Sequence, residues 1–271
     1  MTPPETKRAA GRTPAASRPL GKALSHFAVD VVLAAVAMLV LSLIVGLGLA
    51  TFSGLRAGLS GQAADFSRLV NDPGTWGLML IAGLSTGGAA LFVYALRGHR
   101  AQPIERLQAW SGIRQPATWA WIVFCAAIVF LCSSSVSVIG HWLGTPLDPT
   151  NQSLVDGGFR DAPWALALFA VVLAPAYEEL LFRRVLFGQL WKAGYPRLGM
   201  ALTAALFALL HELPSLDGHG TRTLLLWGAY GAMGLIFAWL YRKTGTLWAP
   251  ITAHALNNGI ALLIVAVHGH G

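Results

Sequence analysis

The chain has 271 residues, 55% of them hydrophobic and 11% charged, against about a quarter charged in soluble proteins. That balance argues against a soluble fold. Its net charge of +7 does not point to nucleic acid, because the basic residues punctuate apolar runs instead of clustering on a solvated face or alternating with aromatics.

Residues 1–22, rich in Ala, Pro, Thr and Arg without apolar periodicity, read as a disordered cytoplasmic tail. Residues 23–271 read as one transmembrane domain. Apolar runs near bilayer length predict seven spans, with six to eight as the range: Phe27 to Phe52, Trp76 to Leu96, Trp119 to Gly140, Trp164 into EELLFRR, Leu198 to His211, Leu224 to Tyr241 and Leu247 to Val267. The first run is longer than a signal h-region and reads as a retained span. The fifth is short for a span. The expected fold is therefore an all-α integral membrane bundle, multi-pass in the inner cell membrane, with lipid around it. Fifteen of the nineteen Lys and Arg residues fall in the tail and in alternate loops, which predicts a cytoplasmic N-terminus and an external C-terminus. Trp76, Trp119, Trp164 and Trp248 lie near span ends, as interfacial anchors do. Between spans two and three, PIERLQAWSGIRQ mixes apolar and basic residues and reads as a surface-lying segment or a solvated loop. Cys125 and Cys132 share one predicted helix about 10.5 Å apart along its axis, too far for a disulfide; they read as packing residues.

Polar residues intrude on the apolar second half at three places: Glu178 and Glu179 with Arg183, His211 four residues after Phe207, and His254 with Asn257 and Asn258. Ionisable groups at membrane depth cost roughly 2.5 to 3.5 kcal/mol and point to function. Side chains four apart share a helix face, so Glu179 pairs with Arg183 as structure, while Glu178 points about 100° away and stays free. The same spacing puts His254 and Asn258 on one face. Depth supplies a second constraint. If the fourth helix stopped at Arg183, Glu178 would lie only about 7 Å from the cytoplasmic side; if it runs on to about Leu190, Glu178 lies about 18 Å deep, between His211 at roughly 21 Å and His254 at roughly 13 Å. A long fourth helix is therefore expected, with Arg183 inside the protein and a kink at Pro175, which lacks an N–H.

A carboxylate and a histidine can take a proton from water, and a histidine with an amide can donate to a developing oxyanion. That set suits a hydrolase. Glu178, His211 and His254 could equally hold zinc with one open position, and the residues do not decide between a glutamate mechanism that needs no cofactor and a zinc-dependent one. An HExxH site is excluded, since its second histidine would fall at Ser215. No GxSxG elbow and no paired intramembrane aspartates support serine or aspartyl chemistry. Two readings of other classes stand beside hydrolysis: a proton-coupled transporter, since Glu and His chains also relay protons, and a non-catalytic membrane scaffold or immunity protein. The transporter lacks the internal repeat such carriers often show.

EELLFR at 178–183, FALLH at 207–211 and HALNN at 254–258 match EExxxR, FxxxH and HxxxN in the order of the CPBP family, the CAAX prenyl endopeptidases and bacteriocin-processing (Abi) proteins. The resemblance covers about residues 160–265. It implies an intramembrane endopeptidase acting on a membrane-associated protein or peptide from a cavity open to the cytoplasm. Glu178 then corresponds to the glutamate that activates water, His211 to its partner, and His254 and Asn258 to oxyanion stabilisers, with Glu179, Arg183 and Phe207 in support.

Overall fold

The computed structural model describes residues 18–61, 73–145, 147, 149–214 and 220–268. Residues 1–17 of the expected tail lie outside that set, and by Leu20 the chain is already helical. Every regular element among the described residues is a helix: α1 (Leu20–Leu59), α2 (Gly74–Leu96), α3 (Pro103–Ile113), α4 (Pro116–Trp142), α5 (Gln152–Asp161), α6 (Pro163–Lys192), α7 (Pro196–His211), α8 (Gly220–Thr244) and α9 (Trp248–His268).

Six of them, α1, α2, α4, α6, α8 and α9, are long and apolar enough to cross a membrane. The expected fifth span is α7, whose 16 residues reach about 24 Å at 1.5 Å per residue, short of a hydrocarbon core of about 30 Å. The protein is a multi-pass helical membrane protein. Its lipid-facing character shows on α1, where Val32, Val36, Leu39, Leu43, Ile44 and Leu47 are all exposed.

Helix ends follow local chemistry. The first span, expected over Phe27 to Phe52, extends into a 40-residue helix because no proline interrupts its flanks: Pro19 caps one end, and Gly61, at φ +71°, turns the chain at the other. Pro163 opens α6 at a position where its missing N–H costs nothing. Gly194, at φ +98°, follows its last turn. Helix α6 therefore runs on past Arg183 and Arg184 to Lys192, the long fourth helix that the depth comparison requires. The irregularity read at Pro175 takes the form of widened turns, with π-helical segments at Phe169–Leu173 and Leu180–Phe187 on either side of Ala174–Glu179.

Antiparallel packing brings one set of helix ends together. Asp30 of α1 meets Arg97 after α2, Trp110 of α3 meets Trp248 of α9, and Trp121 of α4 meets Trp239 and Lys243 of α8. Lys192 and Arg184 of α6 reach Glu105 of α3 at the same end. This is the basic end of the bundle. The core between the ends is built on Phe182, Leu186, Phe207, Phe237, Ile122 and Val93. Helices α7 and α8 approach so closely that a Cβ at Gly234 would lie 2.9 Å from the Ala204 Cα, the small-residue contact typical of membrane helices.

Candidate active site

The adjacent acids of α6 diverge as their helical spacing predicts. Glu179 is fully buried, with its Oε2 2.8 Å from Arg183 Nε one turn later. The approach lies off the hydrogen-bonding direction, so the contact is an ion pair. The guanidinium carbon is 4.9 Å from the Phe207 ring centre and 5.7 Å from those of Phe182 and Phe237. A charge inside the bundle is thereby met by one carboxylate and three aromatic faces. The other Glu179 oxygen lies 3.1 Å from His254 Nδ1.

Glu178 takes the other direction and meets both histidines. Its Oε2 lies 3.6 Å from His211 Nε2 and 3.9 Å from His254 Nε2, and no hydrogen bond satisfies it. The opposite ring nitrogens fix the tautomers. His211 Nδ1 lies 2.8 Å from the Phe207 carbonyl, which can only accept, so that nitrogen carries the hydrogen; His254 Nδ1 likewise donates to the Glu179 carboxylate. In their neutral forms both imidazoles then aim a bare Nε2 lone pair at the free Glu178 oxygen. Three acceptors surround one point. A donor from outside is needed to satisfy them, and water is the smallest. The rings are held by stacking: His211 lies between Phe207, at 4.1 Å, and Tyr230, at 4.6 Å, while Phe237 faces His254 at 5.2 Å.

Asn258 is drawn into the same framework through the backbone. In the π segment, the Ala174 N–H bonds to the Phe169 carbonyl five residues back. The next bond in that register would run from residue 175 to the Ala170 carbonyl, but Pro175 has no N–H. Asn258 Nδ2 fills the vacancy, donating to Ala170 O at 2.9 Å. Helices α6 and α9 are thus pinned together about two turns before Glu178, and the second amide hydrogen of Asn258 remains for another acceptor.

Glu178 Oε2 and the two Nε2 atoms are the donors that would hold a zinc ion, whose tetrahedral ligand atoms lie about 3.4 Å apart, against 3.6 and 3.9 Å from Glu178 to the two histidines here.

Residues 160–260 match the Rce1-like family of type II CAAX prenyl endopeptidases. The Rce1-like segment contains all three motifs and bears out the resemblance read from them. The chain is 28% identical over 99 residues to YdiL of Bacillus subtilis, named as a membrane peptidase, with 36% of each protein covered. It is 26% identical over 147 residues to the membrane-embedded CAAX protease MroQ of Staphylococcus aureus, covering 54% of this chain and 56% of that one. The matched stretches thus span between about a third and about half of these relatives. No solved structure matches the chain.

Three features escaped the sequence reading. Within the Rce1-like segment, Glu212 is buried beside His211 and accepts from the Thr150 N–H and hydroxyl, at 3.1 and 2.8 Å, with Arg222 at 3.4 Å. It fastens the C-terminal end of α7 to the approach to α5 and to α8. Arg184, read only as an orientation charge, donates to the His99 carbonyl and to Glu105, at 3.0 and 2.6 Å. Outside the segment, Asp30 is a buried acid inside the first apolar run, paired with Arg97 at 2.7 Å and His99 at 2.8 Å. A single acid in an apolar helix was the available signal.

Proposed function

We propose that the protein is an intramembrane endopeptidase that hydrolyses peptide bonds of membrane-associated proteins or peptides with a water activated by Glu178. The observation that carries this reading is the free Glu178 oxygen facing the Nε2 atoms of both His211 and His254. The match of residues 160–260 to a prenyl endopeptidase family supports it.

In this reading a water donates one hydrogen to the Glu178 carboxylate as its oxygen adds to the scissile carbonyl carbon. The new C–O bond makes a tetrahedral intermediate, and the proton held by Glu178 passes to the leaving nitrogen as the C–N bond breaks. His211 shares the developing proton. His254, protonated at Nε2 while Glu179 holds its Nδ1–H, and the second N–H of Asn258 stabilise the oxyanion. Glu179 and Arg183 keep that side of the site charged and fixed, and Phe207 orients His211 through its carbonyl and its ring. No step requires a metal, and hydrolysis is expected to persist at the same rate after dialysis against a chelator.

The deciding experiment reconstitutes the purified protein in lipid with a tagged membrane-peptide library and identifies new termini by mass spectrometry. Cleavage by the wild type, and none by Glu178→Gln or His211→Ala, is the expected result. Equal cleavage by these variants would sink the reading.

A further inference from the structure

At the basic end, a cavity of about 640 Å³ opens between α3 and the ends of α6, α8 and α9. That volume lies in the range of small-ligand sites. Its lining joins three cations, Arg106, Arg184 and Lys192, to three indoles, Trp110, Trp191 and Trp248. Glu178, His211 and His254 do not line it.

The charges do not cancel. Glu105 contacts Arg184 at 2.6 Å and Lys192 at 3.3 Å, offsetting one of the three positive charges. The Lys192 side chain is 63% exposed, and its ammonium has two further N–H donors beyond the one facing Glu105. Arg106 spends its Nε on the Ala101 carbonyl, at 3.2 Å. The deeper lining is apolar: Leu180 and Ile251 belong to the membrane-crossing helices α6 and α9. Above them, Ile104, Leu107 and Trp110 of α3 are exposed, which suits a helix lying at a membrane surface. A cationic mouth, indoles suited to the headgroup level and an apolar floor that continues into the spans match one chemistry, an amphiphile with an anionic head.

We propose that this cavity binds an anionic phospholipid, its phosphate at Arg106 and Lys192 and its acyl chains along α6 and α9. Basic pockets between membrane helices recognise such headgroups. The bound lipid fastens α3 onto the bundle from outside, as Glu105 does from within.

The test uses the purified full chain in detergent, titrated with palmitoyl-oleoyl phosphatidylglycerol, with the matching phosphatidylcholine and with inorganic phosphate, the bound lipid being read by native mass spectrometry. The wild type is expected to bind phosphatidylglycerol about twenty-fivefold more tightly than phosphatidylcholine, given about fivefold for each of the two cations. The double variant Arg106→Gln/Lys192→Gln is expected to lose that preference and leave phosphatidylcholine binding unchanged. Lys192→Gln alone, at an exposed side chain, keeps the fold and is expected to lose about fivefold. Equal binding of the two lipids, an unchanged preference in the variants, or displacement of phosphatidylglycerol by millimolar phosphate overturns the proposal.

Discussion

Glu178 and Glu179 are covalent neighbours to which the proposed mechanism gives opposite duties, and substitution separates them. Glu178→Gln keeps the shape of the side chain and removes the base; hydrolysis is expected to fall by about 10² to 10⁴ while the melting temperature stays close to the wild-type value. Glu179→Gln leaves Arg183 as an unpaired charge in the core and is expected to destabilise the fold by about 3–5 kcal/mol, read as loss of helical signal on heating in detergent. If the two variants behave alike in both assays, the division of roles is wrong. The Glu179–Arg183 pair was legible because i,i+4 spacing dictates it. The second bond of Glu179, to His254, joins positions 75 apart in sequence, and no local pattern encodes such a contact. The aromatic box around Arg183 was legible only in part: Phe207 belongs to a motif, but Phe237 stands in a plain apolar helix.

At the scale of elements, the π turns of α6 are what place the site. Pro175 breaks the register and Asn258 repairs it, so Pro175→Ala restores a competing N–H for the Ala170 carbonyl. The expected result is a folded protein with activity reduced by roughly ten- to hundredfold, the cost of about an ångström of misplacement, and unchanged kinetics would refute it. The sequence disclosed the proline and the asparagine separately. Their joint role needed the five-residue hydrogen-bond spacing, which apolar periodicity does not reveal. Helix α3 depends instead on charge. Burial pushes the Glu105 carboxyl up, but hydrogen bonds from Arg184 and the Gln102 N–H, together with the charges of Arg184 and Lys192, outweigh it and bring its pKa down to about 2 from an ordinary 4.5. The stabilisation is complete above about pH 4.5 and fades as the pH falls through about 2. The melting-temperature gap between wild type and Glu105→Gln should accordingly be constant at neutral pH and close on acidification; a gap independent of pH would show that the carboxylate charge is not its source.

For the whole molecule, run length and low charge were enough to read an all-helical membrane bundle, because a bilayer admits few other ways to satisfy backbone groups. The ends of α1 were not, since hydropathy marks what can sit in lipid and not where a helix stops. With α7 counted as a crossing, seven passes would put the two termini on opposite sides, and the Lys and Arg bias predicts a cytoplasmic N-terminus. A periplasm-dependent reporter fused after Gly271 is expected to be active and a cytoplasm-dependent one silent; the reverse pattern would overturn the topology. His254 bears on heat as well as on chemistry. One ring nitrogen rests on the Glu179–Arg183 pair that holds the core, and the other faces the free carboxylate. Loosening of the core must therefore disorder the reactive groups in the same event, so enzymatic half-life on warming should follow the unfolding rate with no earlier inactive stage. Selection for heat tolerance is consequently expected to draw its substitutions from exposed lipid-facing positions such as Val32, Val36 and Leu39 of α1.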